Sequence, residues 1–93
     1  MSRLKRVVLD VLKPRQPNII EFAKAIAMLG TGYRVNLRVD EVDDRTESVI
    51  LEVEADEIDF DALQAVINDL GASLHSVDEV EVAAQGDIPA VEA

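Results

Sequence analysis

One histidine and no cysteine among 93 residues leave this chain few ways to do chemistry. The histidine is His75, and Asp78 follows it three residues later. Asp10 stands near the end of the first alternating segment, with Lys13 three residues on. If the segments holding Asp10 and His75 pair as antiparallel strands, Asp10 falls roughly opposite residues 74–76. Asp10, His75 and Lys13 then converge at one edge of a sheet, with Asp78 further along the same strand. A carboxylate beside an imidazole can hold a divalent cation or move a proton. Asp10, His75 and Asp78 are therefore the candidate metal ligands. The plainer reading of His75 is an ordinary hydrogen-bonding side chain. No Ser or Cys nucleophile motif accompanies the group, so no catalytic residue is assigned.

A second group is acidic: Glu41, Asp43, Asp44 and Glu47. It offers hard oxygen donors of the kind Ca²⁺ or Mg²⁺ take. It lacks the spacing and the glycine of an EF-hand loop, so a solvated turn is the plain alternative. Other chemistries are excluded. Without cysteine there is no disulfide or thiolate, and with one histidine there is no Cys/His structural zinc site. Gly30-Thr31-Gly32 is too short for a dinucleotide fingerprint and follows a helix rather than a strand.

The elements that must position these residues show in the periodicity. Residues 3–12 alternate, with Val7, Leu9 and Val11 on one face and Arg6, Val8, Asp10 and Leu12 on the other. Pro14 and Pro17 end this strand. Asn18 and Glu21 have the spacing of a capping box, and Ile19, Phe22, Ala23, Ile26 and Ala27 form an apolar helical stripe. Gly30 and Gly32 close that helix. Residues 33–42 alternate again, with Val35, Leu37 and Val39 opposite in sense to Arg34, Asn36, Arg38 and Asp40. A polar turn at residues 43–46 leads into residues 47–55, where Val49, Leu51, Val53 and Ala55 face the core side. Such a pair of runs is a hairpin. A second helix starts near Asp59, buries Phe60, Leu63, Val66, Ile67 and Leu70, and stops at Gly71. Residues 72–83 form a less regular strand, with a bulge expected near residues 76–78. The pattern of strand, helix and strand thus occurs twice.

Two such units with right-handed crossovers, interleaved by the hairpin, give an α+β fold. It is a ferredoxin-like βαββαβ sandwich, with a four-stranded antiparallel sheet in the order 4-1-3-2 and both helices on one face. The domain is expected over residues 1–83, with a flexible C-terminal tail at 84–93. One sheet face is left uncovered. It carries Arg6, Val8, Arg38, Ile50 and Glu52, with Arg6 near Glu52 or Glu54 and Arg38 across from Glu52. This mixed surface suits a contact with a second copy, because a small domain gains missing buried area by association. A solvated face with weak cross-strand ion pairs is the alternative.

The net charge of −10 is split between the halves. Residues 1–39 carry eight bases and two acids, a charge of +6, and residues 40–93 carry one base and seventeen acids, a charge of −16. Bulk acidity argues against nucleic acid, and the open face offers no aromatic on which RNA bases could stack. No apolar run nears the ~18 residues of a membrane span. The basic start is strand-like and holds Asp10, so it is not a signal peptide, and a cytoplasmic location is expected.

Three segments carry a family resemblance: Val8-Leu9-Asp10-Val11-Leu12-Lys13-Pro14, the stretch from Asn36 to Asp43, and Leu74-His75-Ser76-Val77-Asp78-Glu79-Val80. In this order, around the helix start at Asp59-Phe60-Asp61, they resemble the DUF211 family, small and mostly archaeal proteins of unknown function. The resemblance spans residues 3–82. It implies the ferredoxin-like fold, homo-oligomeric assembly and a suggested metal-ion binding, and it directs attention to Asp10, His75 and Asp78. Arg15 stands where the family pattern often has a histidine, which removes one potential ligand.

The function expected from these readings is a non-enzymatic homo-oligomer that binds a divalent cation such as Ca²⁺ or Mg²⁺, or a small ligand, at acidic subunit contacts. A small-molecule-sensing regulatory domain is the second reading. An acid/base enzyme using Asp10 and His75 is the third.

Overall fold

The computed structural model describes residues 1–84. Alternation and helical periodicity become six elements: β1 (Ser2–Pro14), α1 (Ile19–Ala27), β2 (Arg34–Val42), β3 (Thr46–Glu54), α2 (Phe60–Asp69) and β4 (Ser73–Ala84). The sheet order is β2-β3-β1-β4, all antiparallel, which is the expected 4-1-3-2 order. The topology is the ferredoxin-like βαββαβ arrangement, with both helices packed on one face.

The core follows directly from the strand parity. Val7, Leu9 and Val11 of β1 and Val49, Leu51 and Val53 of β3 are wholly buried against Phe22 and Ile26 of α1 and Leu63 and Ile67 of α2. Each such side chain contributes about 1.5–3 kcal/mol of hydrophobic stabilisation relative to exposure. Both helix starts are capped as the residue types suggest. The Asn18 carboxamide oxygen accepts from the Glu21 amide at 2.9 Å, and an Asp59 carboxylate oxygen accepts from the Ala62 amide at 3.1 Å. The Asp59 amide in turn donates to the Tyr33 hydroxyl, tying the start of α2 to the loop before β2.

β1 runs two residues beyond its expected end. Pro14 still pairs with Thr46 at the last rung, where no amide donor is required of it. β4 departs from regular pairing with β1 at two places. Val8 faces Glu79 and Leu9 faces Val77, so Asp78 is an inserted residue; Asp10 faces Ser76 and Val11 faces Leu74, so His75 is another. The first is the expected bulge. A third irregularity lies on β1 itself, where Lys5 is inserted between Leu4 and Arg6. Ala84 still pairs with Ser2. The remainder of the expected tail lies outside the described residues.

Candidate functional site

Asp10 and His75 meet across the β1–β4 ladder. The His75 Nδ1 lies 3.6 Å from the nearer Asp10 carboxylate oxygen. The bulge at His75 makes this contact: an inserted residue leaves the strict alternation and re-aims its side chain over the neighbouring strand. The other Asp10 oxygen is 3.4 Å from the Ser48 hydroxyl, which donates to it from β3. The resulting group is a half-buried carboxylate between a hydroxyl and an imidazole. His75 is open to solvent, with a side-chain exposure of 74%.

The other two residues expected at this edge go elsewhere. Asp78 accepts from the Ser76 hydroxyl at 2.8 Å within its own strand. Among the described residues no three His, Cys, Asp or Glu side chains stand close enough together to hold a metal ion. Lys13 does not join the pair at all. It shares the parity of Val7, Leu9 and Val11, so it points to the helix side, opposite to Asp10. There it is wholly buried. Its ammonium donates to the Pro14 carbonyl at 2.8 Å and to Glu47 at 2.9 Å, and it lies 5.8 Å from the centre of the Phe22 ring.

Lys13 also removes Glu47 from the acidic hairpin group. What is left there is a turn. The Asp43 amide donates to the Thr46 carbonyl, and the Asp43 side chain accepts from the Asp44 amide. Arg15, standing at the position of the missing histidine, reaches the carbonyls of Asp43 and Asp44. It holds the turn against the end of β1, a role that its sequence position did not suggest.

The uncovered face is organised by Arg6. Its guanidinium is bound by Glu52 and by Glu79, with Glu54 at 3.6 Å. The hydrogen bonds Arg6 donates to these carboxylates, to Glu79 first and then to Glu52, hold it protonated well above its ordinary range. The expected pairing of Arg6 with Glu52 and Glu54 is present, and Glu79 joins it from β4. The expected neighbour of Arg38 is corrected: Arg38 faces Ile50, and Asn36 faces Glu52. The β2–β3 register sets this, and it leaves Arg38 without a salt bridge among the described residues. Val8 and Ile50 lie half-buried on this face.

At the end of the sheet where Arg6 sits, Lys5, Arg34, Glu54, Asp56 and Glu81 line an open groove of about 360 Å³ with Gly32 at its rim. Asp56 accepts from Lys5 at 2.8 Å and from Arg3 at 3.2 Å. The Lys5 hydrogen bond, with both cations nearby, holds the Asp56 carboxyl below the ordinary 3.8. No helix among the described residues is long and apolar enough to cross a membrane.

A profile of the DUF211 family, described as uncharacterized ArCR, matches residues 5–88. An uncharacterized protein of Methanocaldococcus jannaschii is 41% identical over 80 residues, which cover 86% of this chain and 82% of the relative. The family match begins within β1 and takes in the other five elements, and the chain belongs to the DUF211 family.

Proposed function

We propose that this protein is a non-enzymatic, cytoplasmic homo-oligomer that binds a divalent cation or a small ligand at acidic contacts between copies. The observation that carries the reading is the uncovered sheet face, on which the charge of Arg6 is already met by Glu52, Glu54 and Glu79. A face whose charges are paired within the chain can be covered at lower cost than one with free charges. Val8 and Ile50 supply its apolar part, and Arg38 is free to reach a second copy. The cation reading rests on Asp10 and His75. They supply two donors, whereas Ca²⁺ takes six to eight ligands and Mg²⁺ six. A second copy facing the first would double the donors. Two measurements test the reading. Val8→Glu is expected to lower the mass in light scattering. Ca²⁺ or Mg²⁺ is expected to raise the melting temperature of the wild type but not of Asp10→Asn with His75→Ala. An unchanged mass together with no cation effect would contradict it.

A small-molecule sensor is favoured by one observation, the groove beside Arg6, where cations and carboxylates alternate as a zwitterionic ligand would need. It would show a thermal shift with one metabolite class and none with divalent cations. An acid/base enzyme has less support, because His75 is widely open to water and nothing excludes solvent from the pair. Any activity that survives Asp10→Asn with His75→Ala rules it out.

A further inference from the structure

One end of the open face carries a row of alternating charge. Arg34 on β2 faces Glu54 on β3, Glu54 faces Arg6 on β1, and Arg6 faces Glu81 on β4. The row does not close on itself. Arg6 leans along its strand and binds Glu52 and Glu79, which both face Val8. The space above its own position is left open, and it forms part of the groove of about 360 Å³. The carboxylates of Glu54 and Glu81 flank that space from either side of β1. Glu81 has no ion pair among the described residues. Glu54 has only Arg34 at 3.5 Å and Arg6 at 3.6 Å, too long for strong hydrogen bonds. Arg34 has nothing nearer than Glu54, and its side chain is 82% exposed. Lys5, by contrast, is held by Asp56.

From this we infer that the groove binds a polar α-amino acid, with its ammonium between Glu54 and Glu81 and its carboxylate on Arg34. The inference rests on the small-molecule reading above and names the class of ligand. Each other class meets a charge it cannot satisfy. A phosphate would find Arg34 as the one groove cation without a hydrogen-bonded partner, and two bare carboxylates beside it. A diamine would bring its second ammonium against Arg34 and Lys5. A metal ion would find two carboxylates where it needs more donors, and no three metal-ligating side chains stand together among the described residues. A zwitterion meets the spare groups of both signs. Their spacing sets its size. The Arg34 guanidinium and the Glu54 carboxylate are 3.5 Å apart, so the two charges of the ligand must lie close together, as amino and carboxyl groups on one carbon do. An ammonium has three hydrogens to share between two carboxylates, and a guanidinium takes a carboxylate through two parallel hydrogen bonds. Beyond the Arg34–Glu54 pair lies a second hollow of about 190 Å³, beside Asn36 and Glu52. Its polar walls suit an amide or hydroxyl side chain better than an aliphatic one.

Isothermal titration calorimetry of the full chain with L-glutamine tests the inference. One site per chain is expected, and L-leucine is expected to bind at least tenfold more weakly. N-acetyl-L-glutamine lacks the ammonium and L-glutaminamide lacks the carboxylate, and each is expected to lose at least tenfold. Arg34→Ala and Glu81→Gln are each expected to weaken L-glutamine at least tenfold. Lys24→Ala, exposed on α1 on the other side of the sheet, is expected to leave it unchanged. Arg34 and Glu81 are exposed, so both variants are expected to fold, which circular dichroism checks, and the two analogues decide the question without any substitution. Binding as tight by either analogue, by L-leucine or by the Arg34 and Glu81 variants would overturn the inference. Thermal shifts separate it from the reading it rests on. A shift with adenosine monophosphate or succinate and none with L-glutamine overturns the inference and leaves the small-molecule reading standing. No shift with any of the three removes both.

Discussion

The Lys13 ammonium lies 2.9 Å from a Glu47 carboxylate oxygen, and the lysine side chain is wholly buried between the sheet and Phe22. This pair links the end of β1 to the start of β3, and the ammonium also donates to the Pro14 carbonyl. A buried charge whose partner is removed is left uncompensated, at a cost of about 3–5 kcal/mol. Glu47 keeps some contact with water and retains Arg15 at 3.7 Å, so Lys13→Ala is expected at the lower end, about 3 kcal/mol. Urea denaturation of the variant against the wild type measures this. A loss below about 1 kcal/mol, the ordinary worth of a surface pair, would show that the pair is not structural.

Gly71 ends α2 at φ +84°, in the left-handed region, and passes the chain into β4. A Cβ there would meet Pro14 at 3.6 Å, which is ordinary contact, so the cost of a side chain is conformational rather than steric. Gly71→Ala is expected to destabilise by about 1 kcal/mol. Gly71→Asn, which tolerates this conformation better, should lose less. Thermal unfolding of the two variants decides it, and equal losses would argue against a backbone origin.

Asp56 gives the protein a specific acid sensitivity. Lys5 and Arg3 hold its carboxyl below the ordinary 3.8 in the folded state. A lowered folded-state value stabilises the protein fully above the ordinary value, and that contribution is lost as the pH falls through the folded value. The effect is confined to strongly acidic solution and is small, because the pair is exposed. Melting temperatures measured between pH 2 and 6 are expected to diverge between the wild type and Asp56→Asn above pH 4 and to converge at the acid end. Parallel curves would show that Asp56 is not the group responsible.

The fold was legible because strand parity, caps and glycine stops all agreed, and every helix and strand appears where its periodicity placed it. The bulge at Asp78 was legible as a break in the alternation of β4. Lys13 could have been placed by the same rule: it shares parity with Val11, yet its charge suggested the polar edge. Its burial depends on Glu47 and the Pro14 carbonyl, partners brought by the hairpin register and not visible locally. The neighbour of Arg38 was missed for a related reason, since a shift of two positions in cross-strand register leaves alternation unchanged. The meeting of Asp10 with His75 was foreseen from topology, but the second bulge that produces it was not. The exposure of Val77, Val80 and Val82 on β4 was hidden too, because alternation marks an apolar row without showing whether a helix reaches far enough to cover it.

Homo-oligomerisation is the claim on which the proposed function stands, and the mass in solution tests it most directly. Light scattering coupled to size exclusion, at micromolar protein and physiological salt, is expected to give a multiple of the 10.2 kDa chain mass. A single species at 10.2 kDa would contradict it.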